Sequence, residues 1–195
     1  LAAAGANQKA DFNLTAAAAQ LPGAPPITIG SGLIRGTLLM LPAGPTFNGS
    51  AALTDVRQGT LLIRSARGKV DYQEGRGKAG FIVAGSSGVP FDVAGQAAFT
   101  PGRIVANAKG SANGIAFRLA QPAVVTQDGA DYVLQPATVL LPQGQVELAG
   151  RYGARTEARA KLDGVDLSIA QAFAPTLGLG GKATGTVDFA MRGSA

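Results

Sequence analysis

The sequence contains no cysteine, no histidine and no tryptophan among its 195 residues. The absence of cysteine excludes disulfides, thiolate nucleophiles and zinc–thiolate sites. The absence of histidine removes the usual general base near neutral pH and the commonest transition-metal ligand. Charged residues are also scarce, at 15% where a soluble domain has about 25%. We therefore expect a protein that is not an enzyme and that needs no cofactor and no metal.

Long apolar stretches and strong charge are lacking as well. The longest uncharged stretch, residues 12–34, is interrupted by Pro22, Pro25 and Pro26 and by several glycines, so it does not predict a membrane-spanning helix. The net charge of +5 is mild and spread along the chain. This excess suits an anionic membrane surface but does not by itself favour nucleic acid.

Period-two alternation of apolar and polar residues recurs along the whole chain. In "GIAFRLAQ", Ile115, Phe117 and Leu119 alternate with Ala116 and Arg118. Turn signals separate such runs, namely "GP" at 44–45, "QG" at 58–59, "EGRG" at 74–77, "SSG" at 86–88, "PG" at 101–102, "DG" at 128–129 and "PQG" at 142–144. Short alternating runs bounded by turns predict an antiparallel meander of many strands.

The inward faces of these predicted strands are thinly filled. Many inward positions are Ala or Gly, whereas a sandwich interleaves bulky side chains from two sheets. We therefore predict an all-β fold in which residues 1–195 form one long antiparallel meander, curled into an open, taco-shaped groove. A β-sandwich is the alternative. The side chains predicted to line the groove are Phe12, Leu14, Phe47, Leu53, Leu61, Ile63, Val70, Tyr72, Phe91, Val93, Ile104, Ile115, Phe117, Leu119, Val146, Leu148, Leu162, Val187, Phe189 and Met191.

One stretch carries a short helical pattern. In "DGVDLSIAQAFAP", the hydroxyl of Ser168 can cap a helix, Ile169 and Phe173 share a face four residues apart, and Pro175 ends the pattern. The sequence thus predicts one short helix near residues 168–174, placed to cover one end of the sheet.

Three other patterns are better explained by hairpins and solvated strands than by binding sites. "GRGKAG" at 75–80 has the glycine spacing of a dinucleotide site, but a strand pattern follows it where that site needs a helix. The Asp128–Asp131 and Asp163–Asp166 pairs lack the six oxygens that calcium needs. The basic stretch 64–78 contains one aromatic residue, Tyr72, and so does not predict a nucleic-acid surface.

The C-terminal part, from "LPQGQVELAGRYG" through "LDGVDLSIAQAFAPTLGLGGKATGTVDF", resembles the TamB family of Gram-negative envelope proteins, within the wider AsmA-like group. The upstream stretches "PITIGSGLIRG" and "VPFDVAGQAAF" are similar in style. The residues that match the family pattern are Asp166, Leu167, Ser168, Pro175, Gly178, Gly180, Gly181 and Gly185.

The resemblance implies a segment of a longer protein that crosses the periplasm. It implies an apolar groove that conducts phospholipids between the inner and outer membranes and supports outer-membrane protein and envelope assembly. It also implies an inner-membrane anchor helix and an outer-membrane barrel partner of the TamA type, both acting through regions outside this segment. Acyl chains would then be the ligands of the groove residues.

Two other functions are compatible with the strand pattern. A scaffold would pair its open sheet edge with client strands by β-augmentation. A secreted β-solenoid would use similar strands, but the sequence has no strict repeat of the kind that a solenoid shows.

Overall fold

A computed structural model describes residues 8–23, 25–153, 155–167 and 180–192. Thirteen strands and no helix occur in these ranges. The strands are β1 (Gln8–Leu21), β2 (Ile27–Leu41), β3 (Gly44–Gln58), β4 (Leu61–Gln73), β5 (Arg76–Ser87), β6 (Val89–Thr100), β7 (Arg103–Ala112), β8 (Ile115–Leu119), β9 (Ala123–Asp128), β10 (Asp131–Leu140), β11 (Gln145–Tyr152), β12 (Arg155–Asp166) and β13 (Lys182–Arg192).

The predicted all-β antiparallel meander is confirmed. The chain divides into two compact units, a first unit of residues 1–101 and a second unit of residues 102–195. In the first unit, each of β1 to β5 pairs antiparallel with the strand that follows it in the chain. The alternation and the turn spacing therefore predict this topology correctly. The organisation of residues 1–195 as one groove segment stays a prediction.

The second unit departs from a simple meander at one place. The short strands β8 and β9 together occupy the single strand position between β7 and β10, and each pairs with both of these neighbours. Pro122 lies between them, and a proline cannot donate a hydrogen bond to a sheet ladder. The interruption at this strand position thus has a local cause in the sequence.

Two-residue turns join several strands. Glu74 and Gly75 connect β4 to β5, and Asn113 and Gly114 connect β7 to β8. All four residues have positive φ, between 50° and 83°, which is the backbone of the hairpin turn whose twist matches that of the flanking strands. The Asn-Gly pair is the strongest short hairpin signal in a sequence.

A row of irregular positions crosses β1 to β4 in the first unit, where the regular pairing skips Ala18, Gly30, Asp55 and Arg64. Ala18 and Asp55 have φ values of 49° and 52°, and the register between β4 and β5 shifts at Arg64. Each irregularity changes which alternate residues share a face, as at a β-bulge. Strands β5 and β6 pair without a shift, so their alternate residues keep the same face along the whole strand. Gly85 pairs with Phe91 on β6 and with Ile63 on β4, which assigns Ile63 to the same face as Phe91.

The first unit has a two-faced sheet. Its apolar face consists of the side chains in register with Phe12, Phe47 and Phe91, and the opposite side is its polar face. The charged residues of β1 to β6 lie on the polar face or in the irregular row. The large members of the apolar face are Phe12, Leu14, Leu21, Ile27, Ile29, Ile34, Leu38, Met40, Phe47, Leu53, Val56, Leu61, Ile63, Val70, Tyr72, Phe81, Val83, Val89, Phe91, Val93 and Phe99.

Aromatic rings on this face lie over glycines. A Cβ placed on Gly36 would come within 2.7 Å of the Phe12 ring, and one on Gly49 within 2.6 Å of the Phe47 ring. The rings of Phe12 and Phe47 stack with centroids 5.8 Å apart. Each ring thus covers a neighbouring backbone that has no side chain of its own, an arrangement that stabilises glycine within strands.

The short helix predicted near residues 168–174 lies outside the described residues. The chain leaves β12 and returns to β13 at a defined point, because the amide of Leu167 donates a hydrogen bond of 2.8 Å to the carbonyl of Gly181.

The Phe–Gly arrangement gives a stability test. We expect Gly36→Ala to lower the free energy of unfolding by about 1–3 kcal/mol, because the added methyl meets both the Phe12 ring and the Asn48 carbonyl at 2.7 Å. Gly68→Ala is the matched control on the same face, since its nearest atom lies at 3.4 Å. Urea unfolding of both variants makes the measurement, and equal losses would contradict the packing of Phe12 on Gly36.

Candidate functional site

The apolar face of the first unit has no second layer of protein over it within the described residues. Leu14 is 59% exposed, Leu21 and Met40 are each 48% exposed, and Phe81 is 38% exposed. Side chains of this size are usually removed from water in a soluble domain. They share a face on which the regularly paired residues carry no charge; Asp55 and Arg64 of the irregular row are the charged residues not assigned to the polar face.

The second unit repeats this arrangement. Its apolar face consists of the side chains in register with Phe117, Leu148 and Leu162, and its polar face is the opposite side. The described charged side chains of β7 to β13 lie on the polar face. The exposed large members of the apolar face are Ile104, Tyr132, Leu148, Tyr152, Val187 and Phe189.

Neither unit has a conventional core. Among the described residues, the buried hydrophobic side chains are Ala137 and Val165, and no large side chain is fully buried. A domain normally packs two layers of secondary structure around its apolar side chains. In each unit the described strands form a single layer, which does not match the two packed sheets of the sandwich alternative.

The register places the predicted groove residues on the apolar faces. The ten from Phe12 to Val93 belong to the apolar face of the first unit. Of the ten from Ile104 onward, nine belong to the apolar face of the second unit. The tenth, Met191, pairs through its backbone with Thr156 on β12. Their contact with lipid stays a prediction.

Sequence reasoning missed other members of these faces. Phe81 stands in the continuous apolar run "FIVAG", where alternation does not say which residue faces which side. Register settles it, because Phe81 pairs with Gly95 while Ile82 pairs with Ala94 on the polar face. Ile82 is 63% exposed, so these neighbours are two exposed apolar side chains on opposite faces.

Ion pairs join the polar-face strands. In the second unit, Arg151 on β11 donates to Asp128 at 2.7 Å and to Asp131 at 2.9 Å, the two residues that flank the β9–β10 turn. These bonds raise the pKa of Arg151. Arg159 bonds Asp188 at 2.6 Å between β12 and β13. Asp128 and Asp131, which the sequence analysis considered as metal ligands, thus bind Arg151.

One carboxylate of the first unit has a shifted pKa. The hydroxyl of Thr37 donates to Asp11 at 2.6 Å, and Lys9 lies 2.9 Å from the same carboxylate. The hydrogen bond from Thr37, and then that from Lys9, lower the pKa of Asp11 below its ordinary value.

The residues of the family pattern divide between described and undescribed positions. Asp166 pairs with Lys182 and Gly185 with Leu162 at the β12–β13 junction. Gly181 has a φ of 88° beside the Leu167 hydrogen bond, and Gly180 is exposed. Ser168, Pro175 and Gly178 lie outside the described residues.

Comparisons with family models, with curated proteins and with solved structures find no match for this chain. Within the described ranges, the structure contains no helix that is long and apolar enough to cross a membrane. The same ranges hold no group of three or more acidic, histidine or cysteine side chains arranged to bind a metal.

The openness of the apolar face can be tested with a buried-charge experiment. We expect Phe81→Asp to cost less than about 2 kcal/mol of unfolding free energy, because an exposed carboxylate keeps its water, whereas an unpaired charge in a core costs several kcal/mol. Ile82→Asp is the control on the polar face. Circular dichroism and urea unfolding of both variants decide; loss of folding in Phe81→Asp alone would show a closed core.

The hydrogen bond from Thr37 gives a pH test. We expect Thr37→Val to raise the pKa of Asp11 towards its ordinary value of 3.8. An aspartate with a lowered folded-state pKa contributes stability above its unfolded pKa, and this contribution is lost as pH falls through the folded pKa. The variant should therefore lose its Asp11 contribution at a higher pH than the native chain.

Carboxyl titration by NMR measures this shift. Thr54→Val is the control, because the Thr54 hydroxyl bonds Ser31 at 2.6 Å and no carboxylate. An unchanged Asp11 pKa in Thr37→Val would show that the hydrogen bond does not form.

Proposed function

We propose that the apolar faces of the two units bind the acyl chains of phospholipids. The observation that carries this proposal is that each apolar face has uncharged side chains at its regularly paired positions and has no covering layer within the described residues. Eleven large apolar side chains on these faces are at least 37% exposed, namely Leu14, Leu21, Ile34, Met40, Phe81, Ile104, Tyr132, Leu148, Tyr152, Val187 and Phe189. Hydrocarbon is the ligand that such a surface favours.

The energetics favour a ligand that cannot cross water unaided. Each acyl CH₂ exposed to water costs about 0.8 kcal/mol, so a chain of about 16 carbons faces a barrier on the order of 10 kcal/mol. An apolar face would keep the acyl chain dry while the headgroup stays in solvent. Contact with Ala, Gly, Val, Leu and Phe is unspecific, so no single position holds the lipid and movement along the face costs little.

On the resemblance to the TamB family, we further propose that the chain is a segment of a periplasm-spanning conduit. Such a protein carries phospholipids between the inner and outer membranes and supports envelope assembly. Its inner-membrane anchor and its barrel partner of the TamA type would act through other regions. The apolar faces support the lipid part of this proposal, whereas the location and the partner rest on the resemblance alone.

A photo-crosslinking pair tests lipid binding. A benzophenone amino acid replaces Phe81 in one protein and Ile82 in another, and the captured molecules are identified by mass spectrometry after irradiation of intact cells. We expect phospholipid at Phe81 and little at Ile82. The two positions are adjacent, both are apolar, and Ile82 is the more exposed, at 63% against 38%, so exposure alone predicts the opposite order.

Equal capture at both positions would contradict the proposal, as would capture of protein without lipid at Phe81. The latter result would favour a partner chain as the cover of the apolar face. Phe117 and Arg118 provide an independent pair on opposite faces of β8 in the second unit.

A further inference from the structure

An open cleft of about 560 Å³ lies in the first unit, on strands β1 to β4. Along one row across the strands it is lined by Asn13, Arg35, Ser50 and Lys69. Backbone of Gly36 and Gly49 contributes to its lining. These polar side chains belong to the polar face, whereas Phe12 and Val70, which also line the cleft, are members of the apolar face.

The register brings two cations to either side of a small residue. Arg35 on β2 and Lys69 on β4 both pair with Ser50 on β3. Two strand spacings separate their Cα atoms by about 10 Å, which allows a guanidinium and an ammonium on long side chains to meet one group above Ser50. Both side chains are exposed, and Arg35 makes one long hydrogen bond, of 3.4 Å, to Asn13.

The nearby carboxylates have other partners. Thr37 donates to Asp11 at 2.6 Å, Lys9 pairs with Asp11, and Asn48 donates to Asp71. Within the described part of the chain, neither Arg35 nor Lys69 forms an ion pair. The hydrogen bond from the neutral Asn48 amide does not cancel the charge of the Asp71 carboxylate, which also lines the cleft, so two basic side chains and one acidic side chain face it.

We propose that this cleft binds a phosphate group on a hydroxyl-bearing molecule. A guanidinium offers a fork of donors that matches phosphate, and a lysine ammonium binds phosphate as a point charge. Ser50 and Asn13 add polar groups that can bond hydroxyls or ester oxygens. A sugar phosphate and a phospholipid headgroup share this chemistry. The proposal concerns the polar face and does not depend on acyl-chain binding by the opposite face.

The test is a calorimetric titration of the folded 195-residue chain with inorganic phosphate and with glucose 6-phosphate. We expect each of Arg35→Gln and Lys69→Gln to weaken binding by about tenfold or more, as for loss of one hydrogen bond to a charged group. Lys78→Gln is the matched control. Lys78 lies on β5 opposite Asp71, and its replacement removes the same charge from the same face. We expect this variant to bind with an affinity within about twofold of the native chain.

Vesicles distinguish the source of the phosphate. Phosphatidylglycerol in phosphatidylcholine vesicles is compared with phosphatidylcholine alone, for the native chain and for Lys69→Gln. Binding that needs phosphatidylglycerol and Lys69 identifies a lipid headgroup, and binding of glucose 6-phosphate without vesicle binding identifies a soluble ligand. The proposal is overturned if Lys78→Gln weakens binding as much as Lys69→Gln, or if neither phosphate compound nor vesicle binds through Arg35 and Lys69.

Discussion

A β-strand places successive side chains on opposite faces of the sheet. In each unit the described strands form one layer, so the alternate apolar residues of β1 to β6 share a face that no other strand of the unit covers. The register keeps this division across six strands, so that Phe12, Phe47 and Phe91 share a face whose regularly paired residues carry no charge. Backbone hydrogen bonds between neighbours replace a core as the main source of order, and the scarcity of fully buried side chains follows from the same constraint.

The glycines of the sheet make room for the large side chains of the apolar face. Gly36 and Gly49 leave room for the rings of Phe12 and Phe47 to lie on the backbone. Such rings lose part of their exposure by contact with their own sheet, which reduces the penalty of an uncovered face. The same packing lowers the height of the large residues above the strands. A face built in this way suits a long flexible hydrocarbon better than a rigid ligand, since it offers contact area without a shaped pocket.

Alternation in the sequence sufficed to predict the all-β antiparallel meander, because a one-residue slip would move charges such as Arg118 to the apolar side. It did not suffice for Phe81, because a continuous apolar run has no alternation. It also could not locate the change of face at Ala18, Asp55 and Arg64, since this depends on a positive φ and a register shift that residue types do not specify. The two-unit division has no compositional signal at residues 101–102 beyond a Pro-Gly turn.

The polar cleft was beyond sequence reasoning for a different reason. The stretch 64–78 has mixed charges in which Asp71 and Glu74 dilute the lysines and arginines, and on composition alone a solvated strand face is the natural inference. Strand pairing changes the surroundings of this stretch. Arg35, from a strand distant in sequence, and Lys69 both pair with Ser50, and Asn48 donates a hydrogen bond to Asp71. Antiparallel register thus places Arg35, a basic residue from outside the stretch, beside Lys69 within it.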